Sequence, residues 1–377
     1  MIYFDSAATT FQKPRTVAEG MQCALRTMSS PGRGGYPQAM QAAETVFLCR
    51  EEIAALYQME NPQQVVFTSN ATHGLNLAIK SLVPPGGNVV ISGYEHNAVT
   101  RPLTALGARI SVASAPLFRR DAAAEAFRQA VTPETDAVIC NHVSNVFGWV
   151  QPVEEIAALC RERGVPLVID ASQSAGLQTL SFPDLGASFL AMPGHKGLYG
   201  PQGTGVLLCG EGVEGTPLLE GGTGSLSQEQ AMPEFLPDRL EAGTQNVPGI
   251  AGLLEGVRYV RRLGPERICK HEQQLVQFVA ERLRRLPGIR VYAAEDFSAQ
   301  TGVLSFTADS WDVEELARAL GERGIAVRAG LHCAPLAHQS AGTLKTGTVR
   351  LSFSAFNTLE EVCTFLVVLR KLLAESF

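Results

Sequence analysis

Hydrophobic and polar positions alternate along the first half of the chain in a repeating order. Val65–Ser69 is a short apolar, β-branched run. From Thr72 to Leu82 the apolar positions Leu75, Ala78, Ile79 and Leu82 fall at i, i+3, i+4 and i+7, the stripe of a helix. Pro84-Pro85-Gly86-Gly87 ends it. Asn88–Ser92, Arg109–Ser114 and Asp136–Ser144 read as further strands, with helices at about Ala98–Leu106 and Asp121–Val131 between them. Pro152–Arg163 predicts a helix with proline in its first turn. Val165–Asp170 predicts a buried strand that ends in a carboxylate, and Gly205–Cys209 another strand. Strands separated by helices imply a mostly parallel sheet covered on both faces. In such sheets ligands gather beyond the carboxyl ends of the strands.

The second half changes character. Pro248–Leu263 carries the helical stripe Ile250, Leu253, Leu254, Val257 and Val260, and His271–Leu286 predicts a second amphipathic helix. Strands follow at Arg290–Ala293, Gly302–Thr307, Ile325–Arg328 and Thr348–Ser354. Asp312 with Glu315, and Thr358 with Glu361, have capping-box spacing and predict two helix starts. These elements predict a smaller α+β domain of about 110–120 residues. The expected division is a large α/β domain over 14–255 and a small domain made of 1–13 and 256–377.

Composition narrows the function classes. The 377 residues suffice for two or three domains at ~100–200 residues each. Hydrophobic residues make up 45% and charged residues 18%, so the chain can bury a large core. The net charge of -6, without a long like-charge run, argues against a nucleic-acid or anionic-membrane partner. No apolar stretch approaches the ~18–20 residues of a membrane span. The start, Met1-Ile2-Tyr3-Phe4-Asp5, lacks a signal-peptide pattern, so the sequence predicts a cytoplasmic protein. Eight scattered cysteines without a CxxC pair indicate neither a zinc site nor a disulfide framework.

Of 31 basic residues only six are lysines, which draws attention to Lys196. It lies in the apolar, glycine-rich stretch Ala191-Met192-Pro193-Gly194-His195-Lys196-Gly197-Leu198-Tyr199-Gly200-Pro201. Desolvation lowers an ammonium pKa, and a neutral amine is what Schiff-base chemistry needs. The plainer reading of a lone loop lysine is a solvated one. Asp170, at a strand end, points into the ligand crevice, where an Asp can pair with the pyridinium nitrogen of pyridoxal phosphate. Its alternative is a helix N-cap. Gln173, three residues on, could reach the phenolic oxygen of that cofactor. The turn Thr68-Ser69-Asn70-Ala71-Thr72-His73-Gly74 follows a strand and opens a helix, which suits an anion or, equally, an ordinary cap. His96 could stack on a flat ring or could cap a helix. Asn145 sits just past a strand end, within reach of a ring oxygen.

Cys333 lies in Arg328-Ala329-Gly330-Leu331-His332-Cys333-Ala334-Pro335, which predicts an irregular exposed loop with a thiol beside His332. The other cysteines read as small core hydrophobes. Arg350, inside an apolar strand, needs an anionic partner, either a substrate carboxylate or an internal carboxylate.

In order along the chain, these motifs resemble the class V aminotransferase-like pyridoxal 5'-phosphate enzymes, specifically the cysteine desulfurase and selenocysteine lyase group. The matching stretches are Tyr3–Thr10, Glu95-His96, Val143-Ser144-Asn145, Asp170–Gln173, Gly194–Pro201, Glu241–Asn246, Arg328–Ala334 and Arg350. The resemblance implies the pyridoxal-phosphate-dependent transferase fold of type I, with a mostly parallel seven-stranded sheet. It implies Lys196 as the Schiff-base lysine, Asp170 as partner of the ring nitrogen and His96 stacked on the ring. Asn145 and Gln173 would contact the ring oxygen, Thr72 and His195 the phosphate, and Ala71 would also bind the cofactor. Thr244 would reach a phosphate across a homodimer interface. Arg350 would clamp the substrate carboxylate, and Cys333 would attack the substrate sulfur or selenium. L-cysteine would yield a Cys333 persulfide and alanine, with a sulfur or selenium acceptor protein as a possible partner. L-selenocysteine, transamination, β-elimination to pyruvate, or a decayed scaffold are the alternatives. Two positions depart from the family pattern. Pro193 stands where a serine is frequent, and Leu331 where a first histidine is frequent.

Overall fold

The computed structural model of the chain describes residues 1–32 and 34–375. The last two residues of the expected small domain, 376 and 377, therefore lie outside the described residues. The strands are, in chain order, β1 (Ile2–Tyr3), β2 (Val65–Thr68), β3 (Asn88–Ser92), β4 (Arg109–Ala113), β5 (Ala137–Asn141), β6 (Leu167–Asp170) and β7 (Phe189–Pro193). They continue as β8 (Gly205–Cys209), β9 (Ile289–Tyr292), β10 (Val303–Ala308), β11 (Ile325–Ala326), β12 (Arg328–Gly330) and β13 (Thr348–Ser352).

Seven strands form the larger sheet in the order β2-β8-β7-β6-β5-β3-β4. All neighbours pair in parallel except β8, which runs antiparallel to both β2 and β7. The expected mostly parallel α/β architecture is the one found. Strand alternation divides the sheet between two cores. Val138, Cys140, Ile169 and Leu190 face a core built with Val46, Ile53, Ile156 and Leu253 from helices Pro37–Leu56, Val153–Arg163 and Val247–Leu263. Ala137, Ile139, Val168 and Phe189 face the opposite way, onto Leu75, Ile79 and Val99 from helices Ala71–Leu82 and Asn97–Ala105.

A second core lies in a four-stranded antiparallel sheet ordered β12-β13-β10-β9. There Leu304, Phe306, Val349 and Leu351 pack against helices Pro265–Leu283, Val313–Glu322 and Leu359–Glu375. The N-terminus joins this unit. β1 pairs in parallel with β11, and Phe4 sits edge-on to Phe353 and Phe365 at ring-centroid distances of 5.0 and 6.0 Å. The Thr358 capping box closes in both directions: Thr358 N donates to Glu361 Oε2 at 2.9 Å and Glu361 N to Thr358 Oγ1 at 3.3 Å. Asp312 accepts from the backbone N–H groups of Glu314 and Glu315.

Several elements differ from the sequence reading. β7 and helices Arg15–Thr27 and Pro37–Leu56 were not anticipated. The single strand expected at Ile325–Arg328 is two strands in different sheets, because the chain leaves β1 after Ala326 and joins β13 at Arg328. Among the described residues no helix is long and apolar enough to cross a membrane.

Candidate active site

One cavity opens at the carboxyl ends of β3, β5, β6 and β7, where parallel α/β sheets gather ligands. Asn70, Ala71, Thr72, His96, Asn145, Asp170, Gln173, His195 and Lys196 all line it, together with Asn141, Ser172 and Pro193. Residues spread over more than a hundred positions of sequence thus meet because each follows its own strand end.

Lys196 leaves β7 through a turn that only small residues permit. A Cβ on Gly176 would run into the Gly197 carbonyl oxygen, and Gly176 has φ +80°. Tyr199 N donates to Lys196 O at 2.9 Å and Gly200 N to Gly194 O at 2.8 Å, closing the loop on itself. Burial pushes the Lys196 amine down from 10.5 to about 8, against the attraction of Asp170. Asp170 is 4% exposed. Its Oδ1 accepts from Ser172 N at 2.8 Å, so it caps the following turn and also borders the cavity. The same holds for His96, whose Nδ1 accepts from Ala98 N at 3.0 Å while its ring lines the cavity.

Asn145 Nδ2 donates to His332 O at 2.8 Å, and its buried Oδ1 has no partner among the described residues. Gln173 Nε2 donates to Ala7 O at 2.9 Å. Each amide nitrogen keeps a second hydrogen for a ligand. At the N-terminus of helix Ala71–Leu82, Asn70 Oδ1 accepts from His73 N at 2.9 Å, and the Ala71 and Thr72 amides have no partner one turn back in the helix. Gly205 lets β8 pass against the Asn70 backbone, where a Cβ would not fit. His195 Nδ1 lies 3.0 Å from Thr9 Oγ1, and burial, with the charges of Lys196 and Lys13, lowers its pKa to about 4. Pro193 borders the cavity without an N–H or hydroxyl to offer.

Arg350 is 2% exposed on β13. Its Nη2 donates to Asp5 Oδ1 at 2.7 Å and its Nη1 to Asn145 O at 3.0 Å, while Nε is buried without a partner among the described residues. An internal carboxylate is therefore present, and a guanidinium N–H remains free. Cys333 is exposed in the loop after β12 and overhangs a shallow cleft that shares Thr72 and His96 with the cavity. His332 and Cys333 both take left-handed backbone, at φ 50° and 56°. The His332 ring turns inward instead of lying beside the thiol. Its Nε2 lies 3.1 Å from Thr348 O, it stacks on His338 at 5.6 Å, and burial pushes its pKa down to about 2. Leu331, in the place of a frequent histidine, is 38% exposed.

Thr244 is the predicted cofactor-binding residue that does not line the cavity. It lines a different cleft, with Ser69, His73, Gly203 and Asn246. Its loop is anchored by Glu241, which accepts from Arg50 Nη1 at 2.7 Å and Nη2 at 2.6 Å. The sequence reading missed the roles of Thr9, Thr10 and Lys13. Thr10 Oγ1 donates to His195 O at 3.0 Å and Lys13 Nζ to Thr10 Oγ1 at 2.9 Å, so the N-terminal segment holds the His195-Lys196 pair from behind. The only sequence signal for Thr9 and Thr10 is membership of the Tyr3–Thr10 motif, and Lys13 lies outside it.

The chain is 34% identical to a probable cysteine desulfurase of Mycolicibacterium paratuberculosis over 385 residues, which is 99% of this chain and 55% of that protein. The chain thus spans about half the length of this relative. It is also 34% identical to a probable cysteine desulfurase of Xylella fastidiosa, covering 98% of this chain and 90% of that one. The solved apo structure of cysteine desulfurase from Thermococcus onnurineus superposes with a TM-score of 0.90 at 31% identity, over 99% of this chain and 95% of that chain. Residues 2–365 match the aminotransferase class-V family. With a full-length match of sequence and fold behind that assignment, the chain belongs to the class V aminotransferase family.

Proposed function

We propose that the chain is a pyridoxal-phosphate-dependent cysteine desulfurase that removes sulfur from L-cysteine as a persulfide and releases L-alanine. The family is pyridoxal-phosphate-dependent in general. The observation that carries the reading is the buried Lys196 amine and the Asp170 carboxylate lining one cavity, with the exposed Cys333 thiol in the adjoining cleft that shares Thr72 and His96 with it.

The donor set fits the cofactor. A buried amide oxygen lacks a partner at Asn145, a helix start presents open amides at Ala71 and Thr72, and an amine of lowered pKa faces a carboxylate. Lys196 Nζ would hold the cofactor aldehyde, Asp170 the ring nitrogen, and Asn145 and Gln173 the ring oxygen. His96 would stack on the ring, and Ala71, Thr72 and His195 would bind the phosphate, with Thr244 reaching it from a second copy in a homodimer. When bound, pyridoxal phosphate supplies the electron sink that weakens bonds at the substrate Cα.

The protein's own groups do the rest. Arg350 binds the substrate carboxylate through its free N–H and so fixes which face of Cα meets Lys196. Lys196, whose amine is partly neutral near pH 8, takes the Cα proton and returns it to the departing molecule. Cys333, as thiolate, attacks the substrate Sγ. The new bond joins Cys333 Sγ to that sulfur, the substrate Cβ–Sγ bond breaks, and its electron pair and a proton leave with alanine. The persulfide then passes to an acceptor protein that reaches the exposed loop. L-selenocysteine would follow the same course.

The test is alanine release from L-cysteine by the wild type and by Cys333→Ala. The expected result is one alanine per sulfur transferred to a thiol acceptor in the wild type and a loss of at least ~100-fold in the variant. Equal alanine from both proteins would remove Cys333 from the reaction, and pyruvate in place of alanine would assign elimination.

A further inference from the structure

The guanidinium assigned above to the substrate carboxylate already holds a carboxylate, and this inference rests on that assignment. Asp5 is seated beside Arg350 by backbone pairing: it forms a parallel bridge to Ser352, two residues along β13 on the same face as Arg350. Ser352 Oγ accepts from Ala7 N at 2.9 Å, and Tyr3 Oη donates to the Asp5 and Thr9 carbonyls at 3.2 and 2.9 Å. The segment is thus held at several points, and the Asp5 carboxylate is delivered to Arg350 Nη2 at 2.7 Å. Arg350 is fully interior, whereas the Asp5 side chain keeps 19% of its surface. Among the described residues, Asp5 is the one carboxylate that pairs with Arg350.

We propose that Asp5 is a specificity-determining, positioning residue: a resident counter-ion on Arg350 that sets how strongly the site binds a substrate carboxylate. Two carboxylates must share one guanidinium when an amino acid binds. The like charge of Asp5 weakens the incoming one, and the strength of Coulomb interactions between close, poorly solvated groups makes that penalty large. In return, Asp5 keeps Arg350 compensated while the site is empty, since an unpaired interior charge is costly. The device favours ligands whose carboxylate is backed by other contacts and disfavours small anions. It also ties the clamp to the lysine. The same nine residues that start at Asp5 reach Gln173 through Ala7 O, and His195 through Thr9, Thr10 and Lys13.

Asp5→Asn keeps the shape and one acceptor oxygen and removes the charge. The expected result is a KM for L-cysteine lowered by about threefold or more with kcat changed less than KM, while the ligand-free protein melts at a lower temperature. L-alanine and acetate should raise the melting temperature more in the variant than in the wild type. A KM that is unchanged or raised, together with equal stabilisation by L-alanine and acetate in both proteins, overturns the proposal. If Asp5→Asn fails to fold, Asp5→Ser is read by the same two measurements. A wild type that releases no alanine from L-cysteine refutes desulfuration, and the melting shifts with acetate still decide the role of Asp5.

Discussion

The Lys196 amine offers the most direct quantitative check on the site. Burial is the main cause of its lowered pKa, and Arg350 and Arg328 add repulsion, while Asp170 and Asp5 pull the other way. Moving an amine from 10.5 to about 8 corresponds to about 3 kcal/mol against the charged form. At pH 7 the neutral fraction rises from about 1 in 3,000 to about 1 in 10, a gain of about 300-fold in the form that attacks an aldehyde. Covalent capture of pyridoxal phosphate by the cofactor-free protein should therefore accelerate between pH 6.5 and 8 and level off above about 8, followed by stopped-flow absorbance. A rate that keeps climbing tenfold per pH step to 10 would show a solvated lysine and refute the reasoning.

Asp170→Asn sharpens the test because its two effects have opposite signs. Removing the carboxylate lowers the Lys196 pKa further, so capture at pH 7 should be faster than in the wild type. Turnover should nevertheless fall by about 100-fold or more, since the charge that faces the ring is gone. The linkage has a defined direction. The folded amine sits below its unfolded value, so between about 8 and 10.5 the unfolded chain binds the extra proton, and stability of the cofactor-free protein rises with pH across that window.

Two further outcomes follow from buried charge elsewhere. Glu95 is fully buried beside His96, accepts from Ser92 Oγ and Asn141 N, leaves Oε2 without a partner among the described residues, and is pushed up to about 8 chiefly by burial. Folded Glu95 keeps a proton that the unfolded chain releases near 4.5, so wild-type stability should decline from pH 5 to pH 8 by up to ~4 kcal/mol; urea midpoints of Glu95→Gln should lack that decline, and parallel curves would refute it. Glu241→Ala should cost ~3–5 kcal/mol in the same assay, because Arg50, with a side chain 7% exposed, loses its carboxylate. An Arg50→Met, Glu241→Leu double variant should recover most of the loss, and failure of the single variant to destabilise would show that the pair is not dry.

Most strands of the seven-stranded sheet are legible because each combines an apolar core-facing pattern with a turn, and the order of strands and helices leaves little choice of architecture. β7 was overlooked for a local reason: Phe189-Leu190-Ala191-Met192-Pro193 is short, lacks β-branched residues and ends in proline. Helix Pro37–Leu56 buries small residues, Ala39, Ala42, Thr45 and Cys49, over much of its surface, so its stripe has little contrast. The break at Val327 was not legible at all, because it is set by partners at positions 2–3 and 348–350, far away in the chain.

At the site the same limit applies to hydrogen bonds. Residue type and strand-end position pick out Lys196, Asp170, His96 and Asn145, because a ligand cavity needs those groups at those places. Which of their donors are still free is decided by neighbours remote in sequence: Asp5 for Arg350, Ala7 for Gln173, Thr9 for His195. His332 makes the point in the opposite sense. It precedes Cys333 and was expected beside the thiol, yet two successive residues in left-handed backbone send their side chains to different sides, one exposed and one onto His338. Adjacency in sequence therefore overstated one partnership, while separations of up to 345 residues concealed another. Chemistry assigned to the thiol must accordingly draw on groups that share its cleft, with His96 the histidine placed there, and not on the imidazole next to it in the chain.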